Sequence, residues 1–390
     1  MRQWITLAVL VCATGLYAAP TLNDDMWQPP EKEALLTMLD HIYNLEFDAY
    51  RQAHVRYQTA HPDRPEGLFI DAIALWMRIL TDIYNPKYDG LFVTALDSLI
   101  DELERFDANP EVREVAEFYI NAAEGFKAIM HVTREQWFYA ALAGRKAISG
   151  IEKAIDGRWN IADAGFGSGL YLYYADIIPK KYPLLKPLLL IYPDGDKKRG
   201  LDDLKRTAEK GLFARGVAAY MYSVILYTRE KRISEAYEIM TDLSRSYPVN
   251  PIFLMWRTSM AISLGKTDTA LTLARRYEKR IREGAPFYPA HKMRIVHFRY
   301  GQIYSRMHLY DKALAHYQQA LEPLSGPMEE RLERYKVYAL LQMGYIYQRL
   351  KKYDQARRKF EQVLDMRDYQ NSHRWARNRL DAIQKRMQGK

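Results

Sequence analysis

Along most of the chain the apolar side chains recur three and four positions apart, and no stretch alternates apolar with polar residues long enough to build a sheet. The pattern predicts an all-α protein. The segment ALAGRKAISGIEKAIDG reads as an amphipathic helix ending at Gly157. Towards the C-terminus the periodicity repeats itself. RYGQIYSRMHLYDKALAHYQQAL (299 to 321) aligns with QMGYIYQRLKKYDQARRKFEQVL (342 to 364), pairing Gly301 with Gly344, Tyr304 with Tyr347, Tyr310 with Tyr353, Ala313 with Ala356 and Tyr317 with Phe360 at a constant offset of 43 residues. Such self-similarity predicts stacked helix pairs, because one pair cannot bury its apolar face alone and its neighbours complete the core. A glycine at the helix crossing lets the two backbones approach, with the alanine of the second helix expected as its small partner.

These segments resemble tetratricopeptide repeats, which place a small residue, an aromatic, then Tyr, Ala and an aromatic at spacings of 3, 6, 3 and 4 residues. Earlier copies follow from that anchor. Tyr227 and Ala236 stand nine residues apart with Pro248 twelve beyond, and Ala261 and Ala270 keep the same gap of nine. Ala236 to Ala270 is 34 residues, while the next two steps are 43, so nine residues are added per unit. EGAPFYPAHKM and EPLSGPMEERLE carry the breakers expected where those additions turn. Further upstream, Phe47, Tyr50 and Pro62 fit a repeat, Ala95 and Ala140 are looser candidates, and Gly200 stands in the alanine's place in a second helix.

The resemblance implies a tetratricopeptide-type α-solenoid, a right-handed superhelix of six to eight antiparallel helix pairs. The expected organisation is a divergent helical region over 20–160 and an aromatic helix with a Pro/Leu-rich loop over 161–214. The repeat array over 215–370 and a capping helix over 371–390 complete it.

The N-terminus reads as an address. Arg2 precedes the apolar WITLAVLVCATGLY, and small residues suited to cleavage lie near Ala19. A membrane anchor is the competing reading, but the stretch is shorter than the roughly 20 residues a span requires. The one cysteine, Cys12, lies inside this stretch and follows Val11, which does not suit lipidation. A mature chain without thiols fits an oxidising compartment. The expectation is an exported protein, periplasmic or held at the periphery of the envelope.

Charge adds a direction. The chain carries a formal +9, and residues 351–390 hold twelve Lys or Arg against five Asp or Glu. Arg374, Arg377, Lys385 and Arg386 lie in the final predicted helix, expected to be a polar cap. The same surface would suit an acidic partner or an anionic membrane. Export argues against nucleic acid.

No catalytic set emerges. DAGFGSGLYLYY (163 to 174) has Leu170 where the dinucleotide fingerprint needs its third glycine, follows a helix instead of a strand, and lacks the Gly-Lys-Ser/Thr of a phosphate loop. Close helix packing is the better reading, with Asp163 or Ser168 as the helix cap. Ser168 does not meet the G-x-S-x-G spacing of a hydrolase. The nine histidines form no metal-binding spacing. No enzyme activity, metal or cofactor is expected.

Binding remains. The resemblance implies a concave groove lined by the first helix of each pair, and carrying groove positions over by alignment gives Arg229, Arg306 and Arg349 at one equivalent site. Arg299, Gln302, Tyr345 and Gln348 lie on adjacent turns. A ladder of arginines suits carboxylates on an extended protein or peptide ligand, while pairing with acidic neighbours on the next repeat is the competing reading. The alternative function is binding of lipid or envelope polymer by the aromatic helix at 169–175, with Leu184, Leu185, Leu188 and Leu189 after it.

Overall fold

The computed structural model describes residues 26–62, 64–105, 113–181 and 192–387. Among them are eighteen α-helices and no β-strand. The N-terminal half consists of α1 (Pro29–Tyr43), α2 (Phe47–Ala60), α3 (Glu66–Thr81), α4 (Asp89–Glu104), α5 (Arg113–Thr133), α6 (Trp137–Ile155), α7 (Ala164–Lys181) and α8 (Lys197–Lys210). The rest is α9 (Arg215–Ile225), α10 (Ile233–Ser246), α11 (Pro251–Ser263), α12 (Thr267–Arg282), α13 (Met293–Arg306), α14 (Tyr310–Ala320), the single turn α15 (Met328–Arg331), α16 (Glu333–Arg349), α17 (Tyr353–Leu364) and α18 (Ser372–Met387). Successive helices pack as eight pairs, α1 with α2 through α13 with α14, and then α16 with α17. Helix α18 closes the row against α17 and α16, burying Ala376 and Ile383. The fold is a tetratricopeptide-type α-solenoid. The apolar stretch 1–19 and the leucines at 184, 185, 188 and 189 lie outside the described residues.

One turn design joins the helices within six pairs. Leu45, Glu135, Lys231, Gly265, His308 and Lys351 have φ between +59° and +72°, each two positions before the second helix. The following amide reaches back to the first helix, as in Glu46 N to His41 O (2.8 Å) and Lys352 N to Tyr347 O (2.9 Å). That closure satisfies carbonyls a helix end otherwise leaves free. Only one of the six left-handed residues is a glycine, so the sequence gives little sign of the motif.

The crossing glycines work differently from expectation. A Cβ on Gly301 would strike the Tyr317 ring, and one on Gly344 would lie 2.6 Å from the Phe360 ring. The glycine makes room for the aromatic of the second helix, and the alanine is not its partner. The looser alanine sites are also corrected. On α6 the buried small residues are Ala143, Ala147 and Gly150, while Ala140 is part-exposed; on α4 Phe92, Leu96, Leu99 and Leu103 are buried and Ala95 is not.

The glycine run at 165–169 is a helix crossing. A Cβ on Gly165 would meet Thr207 Oγ1 at 2.6 Å, and one on Gly169 would meet Gly200 O at 2.9 Å. Gly200 in turn lies against Gly169 and Tyr173, so α7 and α8 touch backbone to backbone. Ser168 lies inside α7, bonded to Ala164 O and Asp203, and so is not its cap. The Asp163 carboxylate accepts the amides of Leu212 (2.8 Å) and Ala214 (2.6 Å), fastening the loop that leads into α9.

The helices do not form a simple open row. Helices α9 and α11 are first helices of their pairs and would line the trough, yet α1 and α3 pack against them. Tyr43 of α1 contacts Tyr247 and Phe253 with ring centroids 5.1 and 6.3 Å apart, and Gly216 of α9 leaves the space its ring occupies. Asn250 donates to Tyr43 O (2.9 Å) across 207 residues. Phe69, Ile73 and Met77 of α3 face Val217, Tyr220 and Ile252. One continuous apolar core therefore runs from Trp27 to Met260, with smaller cores following along the row.

A polar clasp extends this closure. The α3–α4 connection meets the segment before α13, with Lys292 donating to Thr81 O (2.6 Å) and His291 bonded to Asp82 (3.1 Å). Arg331 donates to Tyr84 O, and the Arg334 guanidinium lies 5.2 Å from the Tyr84 ring. Nearby, the buried Arg294 binds Glu329 and Glu322 O, both at 2.6 Å. Burial opposes ionisation of Glu329, but Lys336, the Leu324 amide and Arg294 outweigh it and hold its carboxyl down to about 2. The 322–329 connection is thereby tied to α13 and α16.

Candidate binding groove

With α9 and α11 covered by α1 and α3, the accessible first helices near the C-terminus are α13 and α16, followed by α18 in the place a next first helix would take. Small and aromatic residues at the crossings hold these helices close, Gly301 against Tyr317 and Gly344 against Phe360.

The sequence-derived residues fall into three situations. Arg306 and Arg349 are exposed, and neither has a carboxylate partner among the described residues; Arg349 lies 5.9 Å from the Tyr310 ring. Arg299 and Gln302 are half-buried and hold each other, with Arg299 Nη1 donating to Gln302 Oε1 (2.8 Å). Gln348 is half-buried on the same helix as Tyr345. Arg229 is exposed beside Tyr173 and Tyr174 of α7, separated from Arg306 by the α11–α12 pair. In that pair the position 43 residues before Arg306 is Ser263, whose hydroxyl is bonded to Tyr227 (2.8 Å). The arginine ladder is interrupted there.

The structure adds residues that sequence reasoning missed. Tyr345 shares an open cleft of about 360 Å³ with Trp375, Asn378 and Arg379 of α18. The Arg379 guanidinium lies 5.1 Å from the Tyr345 ring, and Tyr345 also meets Phe360 edge-on at 5.5 Å. Trp375 stays 46% exposed on a folded helix, which marks it as a surface residue and not a core one. The spacing of 375, 378 and 379 puts all three on one helix face. That was a readable signal inside the basic segment.

Residues 296–322 and 338–366 each match the tetratricopeptide repeat family. Both segments are tetratricopeptide repeats. These repeats are the α13–α14 and α16–α17 pairs, and repeats of this family bind protein partners. No curated protein matches the chain in sequence. Among solved structures, human IFIT1, a dimer with PPP-AAAA, is 14% identical over 82% of this chain and 68% of its own, with a TM-score of 0.38. Yeast Tom70 is 13% identical, covers 89% of this chain and 87% of its own, and has a TM-score of 0.31. The P58(IPK) TPR domain is 13% identical over 92% and 99%, with a TM-score of 0.26.

Away from the repeats, the aromatic helix is engaged internally. Tyr171 donates to Pro193 O (2.7 Å), Tyr173 donates to Glu230 (2.6 Å), and burial together with the Glu230 hydrogen bond raises the Tyr173 hydroxyl pKa. The cap helix α18 keeps Arg374, Arg377, Lys385 and Arg386 exposed, with Arg386 donating to Tyr353 (3.1 Å). No described helix is long and apolar enough to cross a membrane.

Proposed function

We propose that this chain is an exported, non-catalytic scaffold whose last two repeats and cap helix hold an extended acidic segment of another protein. The carrying observation is the cleft in which the Arg379 guanidinium lies 5.1 Å from the Tyr345 ring beside Trp375, together with the exposed guanidinium groups of Arg306 and Arg349 on the two preceding first helices; none of the three has a carboxylate partner among the described residues. A guanidinium offers paired N–H donors matched to a carboxylate, and a flat aromatic wall takes apolar side chains between the acidic ones. Gln348, Gln302 and Asn378 supply amide groups for a backbone in extended conformation. The apolar stretch after Arg2, with small residues near Ala19, supports a position in the periplasm or at the envelope periphery.

A fluorescent peptide alternating Glu and Leu tests this by anisotropy. Replacing Arg306, Arg349 and Arg379 together by Ala is expected to weaken binding at least about tenfold, ~1.4 kcal/mol, with unchanged thermal unfolding. Equal affinity in the two chains overturns the groove reading. Export is tested separately by fractionation and by sequencing the mature N-terminus, expected just after Ala19.

A further inference from the structure

The described surface exposes twelve large apolar side chains to a substantial degree, and six of them cluster at one corner. These are Trp137, Phe138, Tyr139 and Leu142 at the start of α6, Val132 at the end of α5, and Leu91 at the start of α4. Arg134 ties the corner together by bonding Asp89 (2.8 Å) from the α5–α6 turn. The tip is thus a built part of the fold.

Comparison within the chain shows how unusual it is. Trp137 is the first residue of a second helix and follows the same left-handed turn as Phe47, Tyr310 and Tyr353. Phe47 is buried and the two tyrosines are half-buried, whereas Trp137, Phe138 and Tyr139 are 65%, 71% and 57% exposed. Three successive helical positions fan across about 200° of circumference. A protein partner with one face would cover only part of that arc, whereas a fluid apolar medium surrounds a protruding tip from every side. Tryptophan and tyrosine, apolar bodies with a polar edge, suit the boundary between acyl chains and water.

The charges behind the tip agree. Arg145 and Lys146 are exposed and lie seven residues after Phe138 and Tyr139, on the same two faces of α6 and about 10 Å along its axis. Arg145 has no ionic partner among the described residues; Lys146 reaches Glu124 at 3.2 Å. When the tip enters an interface by about 5–10 Å, such side chains stand level with lipid phosphates. Glu135, in the turn itself, reduces the electrostatic attraction, so insertion of the apolar side chains must carry the contact. We propose that the α5–α6 tip docks on an anionic lipid bilayer, inserting Trp137, Phe138 and Tyr139 with Arg145 and Lys146 at the headgroups. The proposal uses none of the groove residues and stands independently of the scaffold reading.

The test uses the full chain with vesicles of phosphatidylcholine and phosphatidylglycerol whose acyl chains carry bromine, which quenches tryptophan fluorescence on contact. The expected result is that wild type is quenched more than W137F, that R145E/K146E reduces this difference several-fold, and that pure phosphatidylcholine vesicles give a smaller one. The difference between wild type and W137F reads the tip alone, whatever the N-terminal apolar stretch does on the same vesicles. Equal quenching in wild type and W137F, or no association with either vesicle, overturns the proposal. A solution dimer by sedimentation that F138S converts to a single chain also overturns it, since a second copy then covers the tip. Replacing Arg306, Arg349 and Arg379 by Ala must leave the quenching difference intact, which separates this outcome from failure of the groove reading.

Discussion

At the residue scale, the same left-handed backbone position recurs in six helix turns, and five of the six carry a side chain that disfavours it. Lys351 is exposed and makes no side-chain bond among the described residues, so its substitution tests the backbone alone. K351G is expected to raise stability by about 0.5–1 kcal/mol, and G265A to lower it by a similar amount, both read as shifts in thermal midpoint. An unchanged midpoint in both variants contradicts the strain argument. The sequence revealed Gly301 and Gly344 through their spacing but not what fills the space beside them. Spacing names the glycine; only packing shows that the Tyr317 and Phe360 rings take the room.

At the element scale, the α13–α14 pair carries a polar contact that depends on protonation. His297 Nδ1 and His316 Nδ1 are 3.2 Å apart, so at least one of the two nitrogens is unprotonated. Burial lowers the pKa of both, and for His297 the neighbouring His316 lowers it further. Tyr300, Tyr304, Glu278, Arg282 and Gln319 lie around them, with Glu278 pulling both histidines the other way and the Gln319 hydrogen bond doing so for His316, without outweighing burial. The sign follows from proton uptake. The folded pKa values lie below the usual value of about 6.5, so the unfolded chain binds protons first as pH falls. Stability from this pair is complete above about pH 6.5 and declines below it until the folded values are reached. Unfolding midpoints at about pH 7.5 and 5.5 check this: H316N should show a smaller drop than wild type. An equal drop assigns the acid sensitivity elsewhere. Helix pairing itself was legible because its cause is local: apolar side chains at i, i+3 and i+4 share one face.

At the scale of the whole molecule, α1 and α3 lean on α9 and α11 and convert part of a row into a closed body. Gly216 is the keystone in geometric terms, since a methyl there would strike the Tyr43 ring, itself packed against Tyr247 and Phe253. G216A is expected to cost about 1–3 kcal/mol of that docking. Hydrogen exchange should quicken in α1–α3 and remain unchanged in α16–α18, which lie in separate small cores. Uniform exchange across both regions counts against a docked N-terminal block. The residues proposed for the groove at α13 and α16 come from repeat spacing, which is regular there. Trp375 and Arg379 were missed although their spacing puts them on one helix face, because the helix that carries them lies outside the repeat pattern.

The amino-acid sequence by itself determined the helical class, the pairing of successive helices, the two regular repeats and the glycine crossing at 165–169, all consequences of side chains close along the chain. Only the tertiary structure decided which first helices α1 and α3 cover and which aromatic residues stand in solvent. Those outcomes rest on contacts such as Asn250 with Tyr43 and Lys292 with Thr81, 207 and 211 residues apart. No local period encodes them: two helices so far apart in sequence meet only once all the intervening pairs have stacked and set the path between them.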